Sequence, residues 1–301
     1  MEKKEHHLYL ETTLENWTDI FRLNQRFLSK FIYRGQANEK WKLSTSLERQ
    51  IERLFPNLYD KYTIPEHERL MLKEFQWKYP LYSSQYPESK DFVEWLTIMQ
   101  HYGATTRLLD FSYSIFIAMH MAVAENGESG AIWAINKIPL DFAIFKQYIE
   151  KFNVNSASHD KLVQFTLEQA NSLIERGFEK DIEKQLLIIS PKTCNERLSR
   201  QQGLFIMPSD IKCSFDDCLV SYLDSTEPLK IKFENLIEYS VGAKYRQEDI
   251  SLIKIIIPKE NNFEIVKSLR AMNITTEILF PGLDGLAKSL NYARFSFQGI
   301  D

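Results

Sequence analysis

The sequence predicts one mixed α+β domain with short strands around a central buried helix, and three observations carry that prediction. Apolar residues recur at a spacing near 3.6 in several windows, short Ile- and Leu-rich runs end at glycine or proline, and Ser114–Ala124 is apolar almost all round. No Ser/Gly-rich linker, repeat or low-complexity tract divides the 301 residues, so one domain over 13–301 follows an amino-terminal tail of residues 1–12.

Taken in order, Thr13–Leu28 places Leu14, Trp17, Ile20, Phe21 and Leu23 on one face of a helix. Phe31–Gly35 reads as a short strand that delivers Arg34 to its terminus, and Trp41–Leu47 alternates as a second extended segment after a turn at 37–40. Pro65–Trp77 is helical with proline at its start, whereas Tyr79–Lys90, holding Pro80 and Pro87, is a loop. Asp91–Gln100 is helical and stops near Gly103, which leaves the stretch to Asp110 as a loop held between two helices. A core strand at Ala131–Ile135, helices at Pro139–Lys151 and His159–Glu175, and a strand at Gln185–Pro191 follow. The carboxyl third gives a strand at Leu252–Ile257, a helix at Asn262–Ala271, a strand at Thr276–Leu279 and a helix at Leu286–Tyr292.

With 37 basic against 41 acidic side chains and a formal charge of -4, the chain has no overall positive field for nucleic acid or anionic lipid, so any polyanion contact must be a local patch. Cys194, Cys213 and Cys218 are odd in number and lack zinc-like spacing, so neither a disulfide framework nor a metal is expected. The first residues lack the apolar core of a signal peptide, and every apolar run is shorter than a membrane span, which predicts a cytoplasmic protein with no membrane partner. Walker, GxGxxG, GxSxG and HExxH patterns are absent, which disfavours the enzyme classes built on them.

The most informative stretch is Gln100–Asp110, Gln-His-Tyr-Gly-Ala-Thr-Thr-Arg-Leu-Leu-Asp, which crowds an imidazole, a guanidinium and a carboxylate around a glycine turn. Together with Tyr33-Arg34-Gly35-Gln36 and the run Arg197 to Phe205 containing Gln202-Gly203, it resembles the FRG-domain family, marked by Phe/Tyr-Arg-Gly and Gln-His-Tyr-Gly-x-Pro-Thr-Arg-Leu-Leu-Asp elements. The resemblance spans roughly Leu14 to Tyr292, and it implies a bacterial stress or phage-defence setting. Three positions depart from it: Thr105 stands where the family has proline, Phe111-Ser112 where Trp-Thr is frequent, and Ser44–Ser46 where a proline is common.

Arg34 on an apolar strand must find acceptors, either a ligand phosphate or carboxylate gripped by its fork or an internal ion pair with Asp110 or Glu48. Gly35 lets a ligand or another backbone come close. His101 reads as a catalytic or ligand-orienting group, or as a cap on the preceding helix. Tyr102 can stack on a ring or fill the core, while ligand contact is favoured for Arg107 and internal pairing for Asp110. Gln202 offers an amide to a ribose or base edge, Asp284 caps the last helix, and His120 reads as a core histidine.

The Arg34-Gly35 strand end followed by Ser44–Ser46 also looks like the front half of the Arg-Ser-Glu class of ADP-ribosyltransferases. That likeness implies NAD as substrate, with Arg34 on its phosphates and Ser44–Ser46 bracing the nicotinamide pocket, and a catalytic carboxylate for which Glu277 and Asp284 are the candidates. Joined to the residues read above, the expected ligand-binding set is Arg34, Gly35, Gln36, Ser44, Ser46, Tyr102, Arg107, Asp110 and Gln202, with His101, Asp284 and Glu277 as the catalytic candidates. The expected partner is a nucleotide or phosphorylated small molecule, with a non-catalytic module for such a ligand or for RNA as the alternative.

Overall fold

The computed structural model describes residues 6–27, 30–55, 63–124, 128–177, 182–238 and 247–290. Eight strands lie within them: β1 (Leu8–Thr13), β2 (Phe31–Gln36), β3 (Leu109–Ser112), β4 (Gly130–Asn136), β5 (Leu186–Ile189), β6 (Gly203–Pro208), β7 (Leu229–Lys230) and β8 (Ile250–Ile257). They form one sheet in the order β5-β6-β3-β2-β4-β8-β1-β7, with β1 parallel to β7 and β8 and the remaining neighbours antiparallel. The helices α1 (Ile20–Phe27), α2 (Ser46–Leu54), α3 (Thr63–Lys78), α4 (Phe92–His101), α5 (Ile115–Val123), α6 (Lys137–Phe152) and α7 (His159–Glu175) interrupt the strands. α8 (Glu196–Arg200), α9 (Phe215–Val220), α10 (Phe233–Glu238), α11 (Asn262–Ala271), α12 (Thr276–Leu279) and α13 (Leu283–Leu290) follow. The fold is thus α+β.

One face of the sheet packs Phe31, Tyr33, Ile132, Ile253 and Ile255 against α5 and against Leu23, Leu236, Ile265 and Leu269 of α1, α10 and α11. The other face buries Ile32, Trp133 and Leu252 beneath Phe215 and Leu219 of α9. A further cluster joins Leu72, Leu96, Met99 and Phe165 of α3, α4 and α7 to Leu187 and Met207 of the β5–β6 end. Residues of β2 thus alternate between two buried layers, as a central strand requires.

α5 lies unusually close to the sheet. An added Cβ on Gly35 would stand 1.9 Å from the Ala118 carbonyl oxygen and 2.8 Å from the Ala122 amide nitrogen, and one on Gly130 would meet the Ala122 carbonyl at 2.3 Å. The close approach foreseen at Gly35 is therefore made by the backbone of α5. Its sequence, apolar and uncharged, matches that burial.

Several expectations give way. Residues 8–12, read as part of a tail, pair within β1 because Leu8, Leu10 and Thr12 alternate inward beside β8. The helix expected over 13–28 starts at Ile20, after a 3-10 turn capped by Asn16. The extended segment expected over 41–47 forms no strand, and the Thr45 side chain with Glu48 makes a capping box that starts α2 at Ser46. Thr276–Leu279 is helical, because the Thr275 side chain accepts the Ile278 N–H and caps a turn. The stretch up to Asp110 ends as strand β3, and Gly203–Pro208 adds the strand β6 that pairs with it. Residues 291–292 of the expected last helix lie outside the described residues.

Candidate functional site

β2 and β3 are neighbours through the single pair Tyr33↔Ser112, whereas β2 and β4 pair over six positions. Beyond Tyr33 the two strands part, and a cleft of about 780 Å³ opens there. Because it passes the end of the sheet, Arg34 and Trp41 line it together with Ala118, His120 and Met121 of α5.

Arg34 bridges the parting strands. Its Nη1 donates to the Asp110 carbonyl oxygen at 2.8 Å and lies 3.9 Å from the Asp110 carboxylate, with the side chain 17% exposed. Nε is buried without a hydrogen-bond partner, and among the described residues Nη2 makes no bond. Burial lowers the affinity of this guanidinium for its proton and the Asp110 charge opposes that, yet an arginine stays charged at any physiological pH. The internal pairing considered for Arg34 is thus real, made to Asp110 and confined to one nitrogen.

The signature segment closes largely on itself. Gln100 donates from Nε2 to Asp110 Oδ1 at 2.8 Å and accepts from the Thr106 hydroxyl. Thr106 is also held at its backbone by Ser46, which accepts from the Thr106 amide at 3.0 Å and donates to its carbonyl at 3.2 Å. Ser46 is therefore a fastener between α2 and the loop. Ser44 lines the cleft and its hydroxyl turns to the Thr45 carbonyl. Gln36 is buried, donating to the Lys42 carbonyl at 3.1 Å and accepting from the Trp133 indole at 2.7 Å, which ties the 40–44 segment to the sheet.

Arg107 lies outside the cleft. It is 2% exposed and its Nε reaches both carboxylate oxygens of Glu68 at 2.9 Å, with Nη2 completing the fork. The ligand contact expected of Arg107 is overturned, because a carboxylate on α3 already occupies the edge that would take a phosphate. His101 ends α4 and sits one wall behind the cleft, lining a small cavity of about 20 Å³ that shares Asp110, Arg197 and Gln201 with it. Its Nδ1 is buried and unpartnered, and burial first, then the Arg197 charge, lower its pKa. Tyr102 is 71% exposed, edge-on to the His101 ring and away from the cleft. Arg34, His101 and Arg107 thus do not converge on one space.

The expected carboxylates are displaced as well. Glu277 is exposed on α12 and Asp284 is exposed in the first turn of α13, and neither lines the cleft. Asp284 acts on the positive end of its helix, close to the capping role foreseen. Gln202 is exposed with φ 44°, and its carbonyl accepts the Tyr113 amide; the adjacent Gln201 faces the cleft and donates to the Leu279 carbonyl at 3.0 Å.

Two groups gain weight. Glu48, buried at the cleft wall, accepts from the Thr45 amide at 2.7 Å and from the Phe215 amide at 2.6 Å, joining α2 to the start of α9. Burial outweighs those bonds and pushes its pKa up to about 7. The folded state therefore holds the Glu48 proton more tightly than the unfolded chain, and this contribution to stability, complete below the ordinary carboxylate pKa, is lost as pH rises through about 7. Urea unfolding at pH 5 and pH 8 checks it: Glu48→Gln is expected to flatten the decline seen in the unaltered protein, and an unchanged slope refutes the assignment. A Thr-x-x-Glu pattern at 45–48 was the signal for this residue. The second group is His120, whose sequence surroundings show only a core helix.

Cations and carboxylates are balanced around the cleft, with Arg34, Lys40, Lys42, Arg49 and Arg197 facing Glu48, Glu52, Asp110, Asp216 and Asp217. Lys42 lies 3.5 Å from Asp216, and Arg197 sits 4.8 Å over the Phe280 ring. Among the described residues, no group of three or more His, Cys, Asp or Glu is placed to hold a metal ion, and no helix is long and apolar enough to cross a membrane.

No curated protein and no solved structure matches the chain. The model of one family, described as the FRG domain, matches residues 29–130, about a third of the sequence. That segment holds the Gln100–Asp110 signature and all of α5, and from it Arg34, Gly35, Asp110 and four residues of α5 line the cleft. Over residues 29–130, therefore, the chain matches the FRG-domain model.

Proposed function

We propose that the cleft handles a nucleotide whose phosphate docks on Arg34. The observation that carries this reading is Arg34 at the cleft wall, with Nη1 held by the Asp110 carbonyl and Nε buried without a partner, whereas Arg107 spends its Nε and Nη2 on Glu68. A planar guanidinium with one nitrogen anchored to a carbonyl and hydrogen-bonding capacity left over is suited to a phosphate or carboxylate. Trp41, 51% exposed between two lysines at the cleft wall, supplies a surface on which a base stacks. The equal balance of charge favours a compact ligand over a long polyanion, which needs a continuous basic track.

NAD and ADP-ribose are the ligands of this class that the likeness to ADP-ribosyltransferases brings forward, and the FRG likeness adds a bacterial stress or phage-defence setting. An ADP-ribosyl-transferring version draws its carboxylate from the cleft itself, where Glu48 and Glu52 of α2 stand, rather than from Glu277 or Asp284. Calorimetry with NAD, ADP-ribose and a short RNA tests the proposal. Saturable ADP-ribose binding is expected, weakened by roughly tenfold to a hundredfold in Arg34→Gln, as suits loss of a charged hydrogen-bonded pair. Nicotinamide release from NAD marks an enzyme and its absence a recognition module. Steeply salt-dependent RNA binding alone, or unchanged affinity in a folded Arg34→Gln, overturns the reading.

A further inference from the structure

His120 is the one ionisable side chain that α5 gives to the cleft, and it is 5% exposed. Its Nε2 lies 3.0 Å from the Thr276 hydroxyl, the first residue of α12, while Nδ1 is buried with no hydrogen-bond partner. A buried imidazole nitrogen left unpaired costs free energy in the empty protein, which a ligand hydrogen bond recovers. The surroundings are mostly apolar: Ile117, Ala118, Met121 and Ala124 come from the same helix segment, and Phe280, with Arg197 over its ring, lines the cleft as well. Burial lowers the His120 pKa to about 4, so at neutral pH the ring is uncharged and presents one donor and one acceptor.

The cleft is thus built in two parts. The β2 and α2 part is charged, and the α5 part is mostly apolar, with the neutral His120 ring and its Thr276 partner as its polar groups. We infer that the α5 part takes the planar heteroaromatic ring of the ligand, whose amide or amino edge bonds His120 Nδ1 while the phosphate rests on Arg34. This deepens the nucleotide reading and rests on it. An anion is a poor occupant there, because apolar walls and a neutral imidazole repay little of its lost hydration. A ring edge that both donates and accepts suits either tautomer, and Met121 adapts its thioether to a flat face.

Adenine and nicotinamide share this chemistry, so the probes are AMP, nicotinamide mononucleotide and, lacking a ring, ribose 5-phosphate. At least one ring-bearing probe is expected to bind the unaltered protein about tenfold more tightly than ribose 5-phosphate, the worth of one well-made hydrogen bond with stacking. In His120→Phe that advantage falls away, while ribose 5-phosphate binding stays as it was and still depends on Arg34. Nitrogen-15 spectra of the unaltered protein give a readout independent of the variant's folding: the Nδ1 resonance of His120 shifts with the ring-bearing probe and stays in place with ribose 5-phosphate. Equal affinity for probes with and without the ring, or an unmoved Nδ1 resonance, overturns the ring assignment and leaves the Arg34 reading standing. If none of the three probes binds, both are overturned.

Discussion

Gly35→Ala is expected to destabilise the protein by roughly 3–5 kcal/mol, in the range where a small domain fails to fold at 37 °C. The new methyl group would sit 1.9 Å from one backbone atom of α5 and 2.8 Å from another, and neither can swing aside as a side chain does. Relief requires α5 to lift from β2 as a body, which opens the core around Tyr33, Ala118 and Ala122. Chemical denaturation of the purified variant measures the loss. A variant within about 1 kcal/mol of the unaltered protein would mean that α5 and β2 are not in such contact.

The second large effect concerns the Glu68–Arg107 pair. Both side chains are almost fully buried, so Arg107→Met strips Glu68 of its counter-charge in the interior, an effect of about 3–5 kcal/mol. The double variant Glu68→Leu with Arg107→Met removes both charges and is expected to recover most of that loss, as apolar replacement of buried pairs often does. Urea unfolding of the two single variants and the double variant forms a complete cycle. Additive losses would sink the pairing. Because neither Arg107 nor Glu68 lines the cleft, the double variant should also bind nucleotide as the unaltered protein does.

Much of the architecture could be read from the residues. The apolar, charge-free run at 115–123 is a buried helix, and Gly103, at φ 87°, ends α4 as glycine at that place suggests. Most missed elements were short, or carried capping residues whose side chains outweighed apolar content. Thr275 turned 276–279 into a helical turn, and Thr45 with Glu48 started α2 inside an alternating segment. Leu8–Thr13 alternates as a strand but stands alone in sequence, and its partner β8 lies some 240 residues away.

The site was legible in part. Arg34 and Asp110 were named and do meet, since motif residues at strand ends face each other wherever the strands are neighbours. Arg107 was misjudged, because nothing in its local sequence reveals a carboxylate 39 positions earlier on another helix. His120 was hidden by its apolar neighbours, which mark a core helix equally well when one face of that core opens into a cleft. Gln201 was missed by one position, since only the φ of 44° at Gln202 decides which of the two amides turns inward.

The sheet order has a consequence for how the chain is made. β1 gains its neighbours only when residues 229–230 and 250–257 have been synthesised, and β4, just after the FRG segment, also waits for β8. A nascent chain leaving the ribosome therefore carries apolar strands with open edges for most of its translation, the condition under which chaperones are recruited and aggregation competes.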